Sequence, residues 1–377
     1  MGNSFVFQLP NGHFIVNDGG FSGDGEGLIQ YLRLLAGTTE DKEGNIVQND
    51  VYIDAWFITH YHADHAGALY DFYKNPALRD GVYLKALYAS EPSKFALNYW
   101  GIDNNNPLTV EEALRGVMTL QQSPTDFARP EIYQLHMGQK YFFNGITMDV
   151  ISTQEQHPVD TWDDYGDPDE FNASSTNCVF TLSSTGKKIL LGGDSNNVNM
   201  RYIMQAYGQD ANGYGTSDVL SNINVFVAYH HGKNTMADYY STKLVEGYYT
   251  KGKASTAYVD YLLKNTHNAE GFTFDVTLFP YHEVYDVMQG QYADNNWYIG
   301  DDGSIVFPYN LSSINTYLIE NSSFYYTYGY DEYENNGTKK ENVKRHGTVQ
   351  LIFTTDEIVQ KTYDTVISES VAPDETQ

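Results

Sequence analysis

Apolar and polar positions alternate through SFVFQLP and again through GHFIVNDGG, with Asn11-Gly12 between them. Alternation around an Asn-Gly pair predicts two strands joined as a hairpin. GEGLIQYLRLLAG follows with apolar residues at helical spacing and a closing glycine, so a helix is expected there. YIDAWFIT reads as a strand, AGALYDFYKN as a helix and VYLKALYAS as one further strand. Residues 93–127 are helical and loop-rich in pattern and read as an insertion. ITMDVIST, NCVFTLSS, KKILLGGD and INVFVAYHHG are strands in sequence. Helices are expected at STKLVEGYYTKG and ASTAYVDYLLKN, within a second insertion at 233–270, and late strands at FDVTLFPYH and GTVQLIFTTDE. Strand runs with helices between them predict an α/β sandwich. Without a Pro/Ser linker, residues 1–365 are expected to form one domain, followed by a polar tail at 366–377.

The chain has 377 residues, 41% of them hydrophobic and 15% aromatic, a globular composition able to bury a large core. Its formal net charge of -27 sets 22 basic residues against 49 acids. A long nucleic acid needs lysine and arginine to neutralise phosphates, so this balance argues against such a partner. One cysteine, Cys178, excludes an internal disulfide and a thiolate-rich zinc knuckle. Its setting, TNCVFTL, predicts an inert core position. No apolar run is long enough to cross a bilayer, and the N-terminus shows neither a basic n-region nor a full h-region. A soluble chain is expected, cytoplasmic or, if a leader has been trimmed, extracellular.

The chemistry concentrates where YIDAWFIT ends. Three histidines and an aspartate fall within six positions: His60, His62, Asp64 and His65. If the segment stays extended, alternate residues face one way, so His60 and His62 aim at one point and Asp64 with His65 at a neighbouring one. Imidazole and carboxylate donors suit a borderline divalent ion, zinc first, and two adjacent points suit a two-metal site. The cluster alone leaves either site short of ligands. Asp194, after KKILLGG, and His231, after INVFVAYH, stand at the ends of two other strands and are the candidates to supply them.

This pattern resembles the metallo-β-lactamase superfamily. His60, His62, Asp64 and His65 match its H-x-H-x-D-H signature, Asp194 its bridging aspartate, and His231 its last histidine, which glycine usually follows. FIVNDGG looks like its strand-plus-Asp-Gly element, which implies that Asp18 supports a ligand histidine. Within the superfamily the chain is similar to the branch holding the hydrolase domains of competence proteins and the phosphorylcholine esterases. The motifs span roughly residues 3 to 232. The resemblance implies an αββα sandwich with helical insertions and two divalent ions, zinc with manganese or iron as alternatives. It implies a hydrolase in which metal-bound hydroxide attacks a phosphoryl or acyl centre, with Asp64 or Asp194 orienting the nucleophile and His230 assisting the leaving group. A small phosphodiester is the first choice of substrate. Thioester, lactone or β-lactam hydrolysis, or a silent cell-surface binding module, are the alternatives.

The chain departs from the family pattern at Ser174 to Asn177, where many members carry a further histidine. His157 is a candidate replacement. His282 is a candidate for the pocket lining, and Trp162, in the acidic stretch Glu155 to Glu170, for contact with a cationic group. His13, His136, His267 and His346 read as structural or exposed.

Overall fold

The computed structural model describes residues 4–91, 110–156, 176–195, 197–208, 216–227, 229, 258, 261–262, 274–279, 298–299, 305–306, 323–326 and 348–363. The chain divides into two compact units, the first built mainly on Met1–His136 and the second mainly on Thr147–Val366. The α/β class expected from the hydrophobic pattern is the class the chain adopts. No described helix is long and apolar enough to cross a membrane.

In the first unit, β1 (Ser4–Gln8) and β2 (Phe14–Asp18) form the expected antiparallel hairpin, with Ser4 opposite Asp18 and Gln8 opposite Phe14. Gly12 turns the chain at φ 83°, a conformation that suits glycine. Helix α1 (Gly25–Ala36) follows, then a short exposed hairpin of β3 (Thr38–Glu40) and β4 (Ile46–Gln48) that the sequence pattern does not announce. Strand β5 (Val51–Ile58) pairs in parallel with β2, so one buried strand runs beside another. VYLKALYAS is not one strand. It is divided at Lys85 into β6 (Val82–Leu84) and β7 (Ala86–Ala89), both parallel to β5, and across the division the Lys85 amide still bonds to the Ile53 carbonyl at 2.8 Å. β8 (Glu131–Gln134) completes the order β1-β2-β5-β7-β8. Helix α2 (Ala63–Lys74) follows β5. Leu28, Ile29 and Leu32 of α1, Leu69 and Phe72 of α2, and Val117 of the helix Val110–Thr119 pack into one core with Val16, Trp56, Ile58 and Leu87.

In the second unit, β9 (Lys140–Phe143), β10 (Ile146–Ser152), β11 (Asn177–Leu182), β12 (Lys188–Leu191), β13 (Ile223–Val227), β14 (Val276–Phe279) and β17 (Ser323–Tyr326) lie in the order β17-β14-β13-β12-β11-β10-β9. β11 and β12 are antiparallel; β12, β13, β14 and β17 run parallel. Cys178 is buried in β11, as its apolar setting predicts. The helix Asn197–Tyr207, absent from the sequence reading, places Met200 and Ile203 against Val179, Leu190 and Phe226. Tyr258, Tyr261 and Leu262, from the segment expected to be helical, are buried in the same core. Two small antiparallel pairs remain, β15 (Tyr298–Ile299) with β16 (Ile305–Val306) and β18 (Thr348–Phe353) with β19 (Ile358–Tyr363).

Candidate metal centre

The histidine cluster begins two residues after β5 ends. Thr59 and His60 continue from the strand, and His62 keeps an extended backbone at φ −62° and ψ 154°. The chain then turns helical at Ala63, earlier than the sequence pattern suggests, because the His62 carbonyl accepts the amides of both His65 and Ala66 at 3.0 Å. Asp64 and His65 therefore stand in the first turn of α2 and not on an extended segment, so helical geometry sets their directions. A carboxylate in that first turn is favoured by the helix dipole.

The rings converge. His60 Nε2 lies 2.9 Å from His62 Nδ1, and the His60 and His65 ring centroids are 4.0 Å apart. His65 Nε2 lies 3.9 Å from Asp64 Oδ2. His60 and His65 are buried, whereas the Asp64 side chain keeps 20% of its exposure. Several imidazole nitrogens and a carboxylate drawn together at a largely buried turn form a donor set that fits a borderline divalent cation.

Asp18 anchors this cluster from the end of β2. It holds the left-handed backbone at φ 55°, uncommon for a residue other than glycine. Its carboxylate accepts the Thr59 amide at 2.8 Å and the Thr59 hydroxyl at 2.8 Å, and sits 2.9 Å from His65 Nδ1. Its carbonyl accepts Trp56 Nε1–H at 2.9 Å. With the Asp18 carboxylate on Nδ1, the His65 proton sits there and Nε2 keeps its lone pair, the arrangement a ligand histidine needs. The glycines beside Asp18 seat against α2. The Gly67 amide donates to the Gly20 carbonyl at 2.9 Å, and a Cβ on Gly67 would fall 2.1 Å from Phe21 and Ser22 backbone atoms.

Asp194 belongs to the second unit. It follows β12 through Gly192 and Gly193, and is 6% exposed. Gly192 admits neighbouring side chains: a Cβ there would meet Asn177 Oδ1 at 2.0 Å and the Tyr229 ring at 2.2 Å. Asn177 Nδ2 donates to Ser152 Oγ at 2.8 Å and Ser195 Oγ at 2.6 Å. Tyr229 in turn shares a hydrogen bond with Tyr258 at 2.9 Å between hydroxyls. Burial pushes the Tyr229 and Tyr258 phenols above the ordinary tyrosine range.

His157, Trp162, His230, His231 and His282 lie outside the described residues. His13 has a structural role: its Nδ1 lies 2.8 Å from Asp54 Oδ1 and its ring stacks on Tyr52. The sequence reading missed Thr59. The signal was present, since Thr59 is the first polar residue after four buried positions of β5. It also missed Asn177 as a partner of the Asp194 turn, a role visible only once β11 and β12 are paired.

A sequence profile of the metallo-beta-lactamase superfamily matches residues 1–229, more than half of the chain. No curated protein matches. Among solved structures the chain is similar to a metallo-beta-lactamase with a HARLDQ motif from Cronobacter sakazakii, at 15% identity over 50% of this chain and 52% of that one, with a TM-score of 0.28. It is similar to a beta-lactamase from Chitinophaga pinensis, at 14% identity over 69% and 83% of the two chains, with a TM-score of 0.33. It is also similar to the metallo-beta-lactamase fold protein YhfI from Bacillus subtilis, at 13% identity over 60% and 62%, with a TM-score of 0.32. The chain spans 52% of the length of the Cronobacter protein. On the profile match, the chain belongs to the metallo-beta-lactamase superfamily, which typically binds divalent metals and consists mostly of metal-dependent hydrolases.

Proposed function

We propose that this chain is a binuclear-metal hydrolase that cleaves a small phosphodiester. The residues that would hold the ions are those the motif resemblance assigns: His60, His62, Asp64, His65, Asp194 and His231. The observation that carries this reading is the convergence of buried His60 and His65 with half-buried His62, two rings within hydrogen-bonding distance and the third oriented by Asp18. Superfamily membership supports the same reading. The divalent ions, when bound, supply Lewis acidity and a nucleophile at neutral pH. The chain's own residues do the rest. Asp18 and Thr59 orient imidazoles, Asp64 and Asp194 orient the attacking oxygen, and His230 carries a proton to the leaving group.

Phosphodiester cleavage is preferred over thioester, lactone or β-lactam cleavage from the similarity of the motifs to the phosphorylcholine esterase branch. The net charge of -27 favours a small or zwitterionic ester over a long polyanion. The test is hydrolysis of bis-p-nitrophenyl phosphate by the metal-loaded protein. Activity is expected to vanish with a chelator, return with zinc or manganese, and be absent in Asp64→Asn. Activity that survives chelation would sink the reading. Metal binding without phosphodiesterase activity, but with hydrolysis of a thioester or lactone, would keep the hydrolase and remove the substrate.

A further inference from the structure

Thr59 makes more contacts within the histidine cluster than any role in the protein backbone requires. Its side chain is buried, and its Oγ1 lies 2.8 Å from Asp18 Oδ2, 3.0 Å from Asp18 Oδ1, 3.2 Å from His60 Nδ1 and 3.4 Å from His65 Nδ1. A hydroxyl has one proton and two lone pairs. The Asp18 carboxylate has no proton to offer, so the Thr59 hydroxyl donates to it. His65 Nδ1 is closer to Asp18 Oδ2, at 2.9 Å, and gives its proton there. The lone pairs of Thr59 Oγ1 are then left facing His60 Nδ1, which becomes the donor.

We infer that Thr59 is a positioning residue that fixes His60 as the Nδ1–H tautomer. Its Nε2 lone pair is thereby aimed into the donor set, on the side where His62 Nδ1 lies 2.9 Å away. Asp18 then governs two histidines: His65 directly, and His60 through the threonine hydroxyl. Thr59 also donates its own amide to Asp18 Oδ1 at 2.8 Å, which holds the hydroxyl at the correct distance from His60. The inference rests on the reading of His60 as a ligand only for its consequence. The tautomer itself is a property of the metal-free chain.

The test uses the full chain, labelled with nitrogen-15 in histidine and stripped of metal. A long-range proton–nitrogen correlation spectrum reads each tautomer, with the His60 signals assigned by their absence in His60→Ala. His60 is expected to be protonated at Nδ1. Thr59→Val keeps the shape and removes the hydroxyl. It is expected to release that tautomer and to weaken zinc binding, measured by competition with a chromophoric chelator, by at least ~10-fold. Thr59→Ser is expected to retain both. A wild-type His60 protonated at Nε2 would overturn the inference even if Thr59→Val failed to fold. So would a folded Thr59→Val with unchanged tautomer and zinc affinity, or a Thr59→Ser that behaves like Thr59→Val. A wild-type chain with the expected tautomer and no zinc binding would strike the proposed function and leave the role of Thr59 standing. Zinc binding by a chain with the opposite tautomer would do the reverse.

Discussion

The two units fix their candidate ligands by different physics. In the first, a buried carboxylate organises everything around it: Asp18 binds the Thr59 amide, the Thr59 hydroxyl and His65. In the second, neutral groups do the work, since Asn177 ties Ser152 to Ser195 while Gly192 leaves room for Asn177 and Tyr229 beside the turn carrying Asp194. Hydrogen bonds to a charge are shorter and stronger than neutral ones, so the first arrangement is stiff and depends on a single group. The second spreads its restraint over packing and several weak bonds. The contrast predicts where each half breaks.

The largest effect is expected from Trp56→Ala. Trp56 is fully buried, packs against Phe72 and holds the Asp18 carbonyl through its indole N–H. Truncation of a buried tryptophan costs about 3–5 kcal/mol. The loss, measured by urea unfolding, should come with weakened zinc binding, because Asp18 loses its backbone anchor. A cost within about 0.5 kcal/mol, typical of a surface change, would break the claim that the first half hangs on one point.

Next come two glycines that look equivalent in sequence. A Cβ on Gly67 runs into the backbone of Phe21 and Ser22 at 2.1 Å, whereas one on Gly192 meets the side chains of Asn177 and Tyr229. Backbone cannot rotate away and side chains can. Overpacking costs about 1–3 kcal/mol, occasionally more. Gly67→Ala is therefore expected above that range and Gly192→Ala within it, by the same unfolding measurement. The reverse order would show the second turn to be the stiffer one.

The same contrast explains what was legible in the sequence. The first half is written in contiguous residues: a buried strand, then HYHADH, then a helical pattern, with FIVNDGG upstream. Within that stretch Thr59 was passed over and the handover from strand to helix was misplaced. The pattern puts it after His65 and the chain puts it at Ala63, because apolar periodicity does not register a backbone carbonyl capping two amides. The second half is scattered. Asp194 was found because a strand of apolar residues ends in Gly-Gly-Asp. Asn177 was noticed only as the place of a missing histidine, since its partners Ser152 and Ser195 are 25 and 18 residues away along the chain. The exposed β3–β4 hairpin went unread because short polar strands carry little hydrophobic periodicity, and the helix Asn197–Tyr207 also went unread.

Asp18→Asn separates charge from shape in the first half. Asparagine tolerates the left-handed backbone that Asp18 adopts at φ 55°, so the turn should survive. The carboxylate that orients His65 and accepts from Thr59 is lost. Outer partners of metal ligands typically matter by about 10–100-fold, and zinc affinity is expected to fall by that amount with a much smaller change in thermal midpoint. An unchanged affinity would mean that shape alone organises the cluster, and the two halves would then be alike.

The smallest effect tests the second half for the distributed restraint attributed to it. Asn177→Ala removes two neutral hydrogen bonds, each with a net value of about 1 kcal/mol, and the two serine hydroxyls can rotate to other partners. It also removes the Oδ1 atom that a Cβ on Gly192 would meet at 2.0 Å. In Gly192→Ala/Asn177→Ala the clash with asparagine is gone and the Tyr229 ring, at 2.2 Å, still has to move. The double variant is expected to be more stable than the sum of the single losses, with a coupling of about 0.5–3 kcal/mol in a double-mutant cycle. Strict additivity would mean that Tyr229 alone limits the space at Gly192. The Asp194 turn would then depend on one contact, as the histidine cluster depends on Asp18.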